Sequence, residues 1–258
     1  MFKSSSCMRL FFCSRICQKN FINRNLHLTR AKCLDESTKN YVVNAVQFIL
    51  SKENLSPAIL KLGKHKNQAA VLVPLCKVDD TPCLLFTVRS NNLPSHKGQV
   101  SFPGGGVNQS DKYVTQAALR ETEEEIGFPR DKVDVWTTLP PLFNQARSAA
   151  VFPVIGYLGD LNLNDLVADA NEVAEIFAVP LTELEKAVYR TRFRFNAKKC
   201  SENDYTMPIY AVQHKIWGLT AVIVDTVLSI MNPFSYKQVS RGGFILNINQ
   251  KTIRPEVK

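Results

Sequence analysis

No stretch of this 258-residue chain approaches the roughly 18 consecutive apolar residues of a membrane-spanning helix, so no membrane span is expected. Its seven cysteines include no Cys-x-x-C pair, which speaks against a zinc site and against a disulfide framework. Neither a P-loop nor a dinucleotide-binding glycine fingerprint occurs, and kinase and dehydrogenase chemistry lose their usual anchors. Acidic residues are missing from the first 34 positions, which hold seven basic ones: Lys3, Arg9, Arg15, Lys19, Arg24, Arg30 and Lys32. The formal net charge of +9 is therefore mostly a property of that segment, and the balance from Asp35 onward is +2. A general nucleic-acid-binding surface is not expected from so small an excess.

The basic segment is rich in Arg, Ser and Asn, with Phe, Leu and Ile scattered between. Its longest apolar run, Leu10 to Cys13, falls short of the roughly 7–15 residues of a secretory core. Residues 1–34 read instead as a mitochondrial transit peptide, cut near Arg30, which places the mature protein in the matrix. Cys7, Cys13, Cys17 and Cys33 would leave with it. The remaining thiols, Cys76, Cys83 and Cys200, are scattered and expected to be reduced. An apolar fraction of 45% supports a real core, and the body of the chain reads as a soluble protein.

Val42, Val43, Val46, Phe48, Ile49 and Leu50 are spaced as on an amphipathic helix within 36–62. Ala69–Cys76 and Cys83–Val88 are apolar runs joined by Asp79-Asp80-Thr81-Pro82, a hairpin signal. A loop over 89–106 leads to a helix over 113–126, ended by Gly127 where a left-handed cap is cheap. Strands are expected at Val133–Leu139, Val151–Leu158 and Val173–Val179, then a helix from Pro180 to about Arg190. Short strands at Arg192–Phe195 and Ile209–Val212 and an apolar helix over Trp217–Met231 complete the pattern. Interleaved strands and helices make one α/β domain over 35–231. The extension 232–258 has no pattern and no assigned role.

The chemistry lies in Arg120-Glu121-Thr122-Glu123-Glu124-Glu125-Ile126-Gly127-Phe128. On a helix Glu121, Glu124 and Glu125 share one face, and like charges that close repel. A divalent cation relieves the repulsion, and hard carboxylate oxygens suit Mg2+ or Mn2+. Arg120 is placed to hold a carboxylate by a bidentate contact. Just upstream, Gly104, Gly105 and Gly106 let the backbone approach a charged ligand closely, with Pro103 stiffening the entry.

This segment resembles the Nudix box. The second half matches throughout, with Thr122 at a position that is ordinarily apolar. In the first half, counting from Gly105 puts Asp111 at the first acidic position, with one extra residue before Arg120, whereas counting from Gly106 puts Lys112 there; the box has either an insertion or no first acid, and Asp111 is the stand-in. The resemblance implies an α/β/α sandwich with a mixed β-sheet. It also implies metal-dependent hydrolysis of a phosphoanhydride, with Glu121, Glu124 and Glu125 binding metal and Arg120 orienting them. Either Glu121 or Glu125 would act as general base. Family members often add an acid from outside the box, and Glu172, at the start of a strand, is the candidate.

The flanks Leu84–Ser90, His96–Gly105, Leu139-Pro140-Pro141, Val173–Leu181 and Ile216–Ala221 are similar to the coenzyme A diphosphatase branch, although Pro94 stands where that branch has an Arg. The branch implies cleavage of coenzyme A or acyl-CoA to 3′,5′-ADP and 4′-phosphopantetheine or its acylated form. Arg89, His96, Lys97 and the backbone of Gly104–Gly106 would then meet substrate phosphates. Hydrolysis of NADH, another dinucleotide or a pool nucleotide is the rival, without the four-cysteine module of the NADH branch. A silent nucleotide-binding module is a third reading, disfavoured because mutual repulsion of carboxylates gives a binding domain nothing.

Overall fold

The computed structural model describes residues 33–52, 67–143, 149–193, 205–233 and 235–240. Residues 1–32 of the transit-peptide reading, the helix reading beyond Lys52, the strand reading at 194–195, Cys200 and the extension past 240 lie outside them. Among the described residues, no helix is long and apolar enough to cross a membrane.

Strand β1 (Gln68–Val78) is the centre of the fold. Its hydrophobic run is buried on both faces, as a strand covered on both sides must be. The expected hairpin to β2 (Thr81–Arg89) is present, and its two turn residues, Asp79 and Asp80, both have positive φ (48° and 58°). Aspartate tolerates that conformation, and the resulting turn matches the twist of the paired strands. The two strands pair only next to the turn, from Leu75↔Leu84 to Val78↔Thr81, and then separate. Two short pieces fill the gap: β3 (Val100–Ser101) on β2 and β4 (Gly104–Gly106) on β1. Both lie in what the sequence reads as loop. Two or three residues, three of them glycines, carry no periodicity, and only their backbone bonding makes them strands.

Strand β7 (Ala150–Asp160) runs parallel to the whole of β1, and β5 (Asp134–Thr138) and β6 (Leu142–Phe143) line its outer edge. On the opposite side β8 (Val173–Pro180) runs antiparallel to β2. The sheet is thus mixed. Helix α2 (Val114–Ile126) covers one face, over Ala70, Leu72, Leu85, Phe152 and Val154. Helices α1 (Glu36–Lys52) and α4 (Gly218–Met231) cover the other, over Val73, Leu75, Phe86, Phe102 and Phe177. Leu34, just ahead of α1, is buried in that second core. This is the expected α/β/α arrangement with a mixed sheet.

One boundary differs markedly from expectation. Helix α3 (Leu181–Lys186) stops short of Arg190, because Val188 begins β9 (Val188–Phe193). Val188, Tyr189 and Thr191 are β-formers that pair with β10 (Tyr205–Ala211), and that pairing outweighs helical propensity. Strand β11 (Lys215–Ile216) closes this small second sheet.

The chain after α4 is tied down by one side chain. Asp225, fully buried in the apolar helix, accepts hydrogen bonds from Tyr236 Oη (2.7 Å), Val239 N–H (2.9 Å), Ser240 N–H (2.8 Å) and Ser240 Oγ. Tyr210 Oη lies 2.8 Å from Tyr236 Oη. A buried carboxylate is tolerable only when its oxygens are satisfied in this way. Cys76 and Cys83 face each other across the β1–β2 hairpin, free and buried, and burial pushes their thiols up to about 12 and about 11.

Candidate active site

Helix α2 turns a stripe of Val114, Ala117, Ala118, Thr122 and Ile126 into the sheet. Thr122 is completely buried, and its hydroxyl donates to Ala118 O at 2.7 Å, so the polar residue at this ordinarily apolar position is satisfied within the helix itself. Gly127 ends the helix with φ 70°, its N–H bonded to Glu123 O at 3.0 Å. The two carbonyls next left open, Ile126 O and Glu125 O, accept from Val167 N–H (3.1 Å) and Asp169 N–H (3.0 Å) of the following loop. That loop then delivers Glu172 to the start of β8. Here the pairing of β2 with β8 slips, from Val88↔Glu175 to Arg89↔Val173, as at a β-bulge beside a site.

The result is a convergence of three acids. Glu121, Glu125 and Glu172 each bring a carboxylate oxygen to within 4.8 Å of the others. Glu125 is buried at 4% exposure, Glu121 is partly buried and Glu172 is exposed. Gly104 N–H points at Glu125 Oε2 from 3.4 Å, and Gly105 lies directly against the Glu121 carboxylate. Glu124 is not in this group. It is largely exposed and bonded to Arg120 Nη1 at 3.0 Å.

Arg120 ties the glycine loop to the helix. It donates to Asp111 Oδ2 (3.1 Å), Gly106 O (3.0 Å), Glu121 Oε1 (2.8 Å) and Glu124 Oε2 (3.0 Å). Asp111 also accepts Asn108 N–H at 2.9 Å. Burial pushes the Asp111 carboxyl up, but the Arg120 guanidinium and the Asn108 amide outweigh it and hold the group below its usual range. Asp111 therefore serves as the partner of Arg120, outside the three-acid group.

Burial, followed by the facing Glu172 carboxylate, pushes Glu125 up to about 8. Glu121 is raised too, chiefly by burial and despite Arg120. Between the ordinary 4.5 of Glu125 and its folded value near 8, the unfolded chain has released its proton and the folded chain has kept it. The contribution of Glu125 to stability in chelator is accordingly fully present below about 4.5 and lost as the pH rises towards about 8. Thermal unfolding across that window tests this, and Glu125→Gln should flatten the slope.

The remaining sequence candidates are dispersed around the group. Arg89, at the end of β2, lowers the Glu125 proton affinity by its charge, and its Nε is buried with no hydrogen-bond partner among the described residues. His96 and Lys97 are exposed on the 90–99 loop, with His96 Nδ1 3.0 Å from Gln99 Oε1 and φ 59°. Two residues that sequence reasoning passed over hold the loop bearing Glu172: Ser90 and Asp169. A local Asp-x-Asn pattern at 169–171 was the available signal for the second.

The donor set fits a divalent ion. Three hard carboxylates converge from a helix and the start of a strand, and one of them is kept poor in solvation by burial.

The NUDIX domain family matches residues 66–200. The mitochondrial coenzyme A diphosphatase NUDT8 of Homo sapiens is 39% identical over 185 residues, covering 71% of this chain and 77% of that protein. Its Mus musculus counterpart is 37% identical over 190 residues, covering 72% and 88%. An uncharacterized Nudix hydrolase NudL of Photorhabdus laumondii is 40% identical over 173 residues, covering 66% and 88%.

Proposed function

The chain belongs to the Nudix hydrolase family, and from that premise we propose that it hydrolyses the diphosphate of coenzyme A or an acyl-CoA. The single observation that carries the chemistry is the meeting of Glu121, Glu125 and Glu172 beside the Gly104–Gly106 backbone. The coenzyme A part is supported by the likeness to the two proteins named coenzyme A diphosphatases and by the flanking segments.

Nudix hydrolases use divalent metal ions, and here Glu121, Glu125 and Glu172 would hold Mg2+ or Mn2+. When bound, the ion supplies Lewis acidity toward the diphosphate oxygens. Arg120 fixes the Glu121 carboxylate and leaves its other oxygen to the ligand. Glu124, outside the group, completes the Arg120 network. Glu121 or Glu125 accepts the proton of the attacking water. Water adds at phosphorus, one P–O–P bond breaks, and two phosphomonoesters leave: 3′,5′-ADP and 4′-phosphopantetheine, acylated or free. Arg89, whose charge reaches Glu125 from the end of β2, would offer its guanidinium to a diphosphate oxygen. His96 and Lys97, on the exposed loop, would meet the 3′-phosphate. The acid-free N-terminal segment and the mitochondrial names of both relatives support a matrix location.

Product analysis by anion exchange, with coenzyme A, dephospho-coenzyme A, NADH and ADP-ribose offered in parallel, tests the reading. Release of 3′,5′-ADP well above the other turnovers is expected. Preferential cleavage of NADH or ADP-ribose would keep the hydrolase chemistry and remove the coenzyme A assignment.

A further inference from the structure

Two of the three converging carboxylates come from elements far apart in sequence, Glu125 from α2 and Glu172 from the loop entering β8. One short turn connects them. Asp169 donates its N–H to Glu125 O at 3.0 Å, and its own carbonyl accepts Glu172 N–H at 2.9 Å and Val173 N–H at 2.8 Å. Its side chain closes the turn: Asp169 Oδ1 accepts both Asn171 N–H and Asn171 Nδ2, each at 3.0 Å. From the other side, buried Ser90 donates its N–H to Glu172 O at 2.8 Å and its hydroxyl to Ala170 O at 3.1 Å. Every residue from Asp169 to Glu172 is thus bonded to the end of α2, to the end of β2 or across its own turn.

Glu172 is itself exposed. An exposed glutamate has several rotatable bonds, and holding its backbone steady removes part of the entropy that a ligand site must otherwise overcome. We propose that Asp169 is a positioning residue: its side-chain turn, braced by Ser90, holds Glu172 opposite Glu125 so that the two grip one divalent ion. This rests on the reading of Glu172 as a metal ligand. Side chains that orient ligands in this manner affect metal affinity by roughly 10–100-fold.

The test is Mn2+ titration of the full chain, followed by electron paramagnetic resonance of the free ion, on Asp169→Ala, Asp169→Asn, Ser90→Ala and Glu172→Gln. Asparagine retains the Oδ1 acceptor and loses only the charge. Asp169→Ala is expected to bind Mn2+ at least about tenfold more weakly while Asp169→Asn binds as the parent does. Ser90→Ala is expected to fall with Asp169→Ala. Turnover of Asp169→Ala should recover as Mn2+ is raised, which a general loss of fold would not allow. Parental Mn2+ affinity in Asp169→Ala would overturn the proposal, and so would an Asp169→Asn as weak as the alanine variant. Parental affinity in Glu172→Gln would instead overturn the reading beneath it.

Discussion

Substitution of Glu125 by glutamine is expected to lower turnover on a diphosphate substrate about 10³-fold, a barrier increase of about 4 kcal/mol, without loss of fold. The carboxylate is buried at 4% exposure, and its proton affinity is raised to about 8 by burial and by Glu172. At neutral pH without a metal ion, the folded chain therefore carries this group largely as the neutral acid. Glutamine is nearly isosteric with that acid and needs no cation beside it. The Gly104 N–H that lies 3.4 Å from Glu125 Oε2 can still donate to an amide oxygen. The variant should melt at the parental temperature or above it when measured in chelator near pH 8. Steady-state turnover and thermal melting on the same preparation check the two halves together. Parental turnover would show that Glu125 is dispensable for the chemistry, and a collapsed melting temperature would show that its carboxylate is structural. Loss of activity with retained stability is the ordinary signature of a residue kept for function against its own comfort.

The three consecutive glycines should respond to alanine in three different ways. At Gly104 a Cβ would fall 2.4 Å from Ala70 O and 2.5 Å from Val71 Cα, and φ is 154°. Those atoms belong to the backbone of β1 and cannot yield. Gly104→Ala is expected to destabilise the domain by about 3 kcal/mol or more. At Gly105 the Cβ would fall 2.5 Å from the Glu121 carboxylate, the far end of a flexible side chain. The carboxylate swings away and the fold survives, so Gly105→Ala is expected to keep its melting temperature and bind Mn2+ roughly 10–100-fold more weakly. At Gly106 nothing lies within 4 Å of the added atom, and neither property should move. Calorimetry with a parallel Mn2+ titration separates the three. A Gly105→Ala protein that melts early with normal metal affinity would place Glu121 elsewhere than beside this backbone.

What could be read beforehand follows the range of the interactions. Arg120, Glu121 and Glu125 sit on one helix, so local spacing already put them near each other, and Gly127 marked where that helix ends. The same spacing grouped Glu124 with them. Helical periodicity cannot say on which side the sheet lies, nor that Arg120, one turn away, draws Glu124 to itself. Asp111 was legible as an acid near the right count, yet its partner is the arginine, since only the fold reveals how Gly106 and Asp111 are brought to Arg120. The hairpin at Asp79-Asp80 and the major strands were legible because long buried runs leave a pattern. Strands β3 and β4 were not, since their identity lies in backbone pairing across a gap between β1 and β2. Helix α3 was overextended for a related reason: its limit is set by the pairing of Tyr189 with Ile209, twenty positions along the chain. The hold of Ser90 on the Glu172 loop depends on main-chain carbonyls, which no residue pattern displays, whereas the Asp169 turn left only the local Asp-x-Asn signal.

Asp225 carries a further meaning when the chain is considered as something made and moved in one direction. Its carboxylate sits in the middle of α4, and its partners Tyr236, Val239 and Ser240 follow it in sequence by 11 to 15 positions. While those residues are still inside a ribosome tunnel, the helix lacks the donors that satisfy Asp225 on an otherwise apolar surface. Satisfaction of this buried carboxylate is accordingly expected to wait until residues 236–240 are free to close on it, so that α4 is completed by chain that follows it.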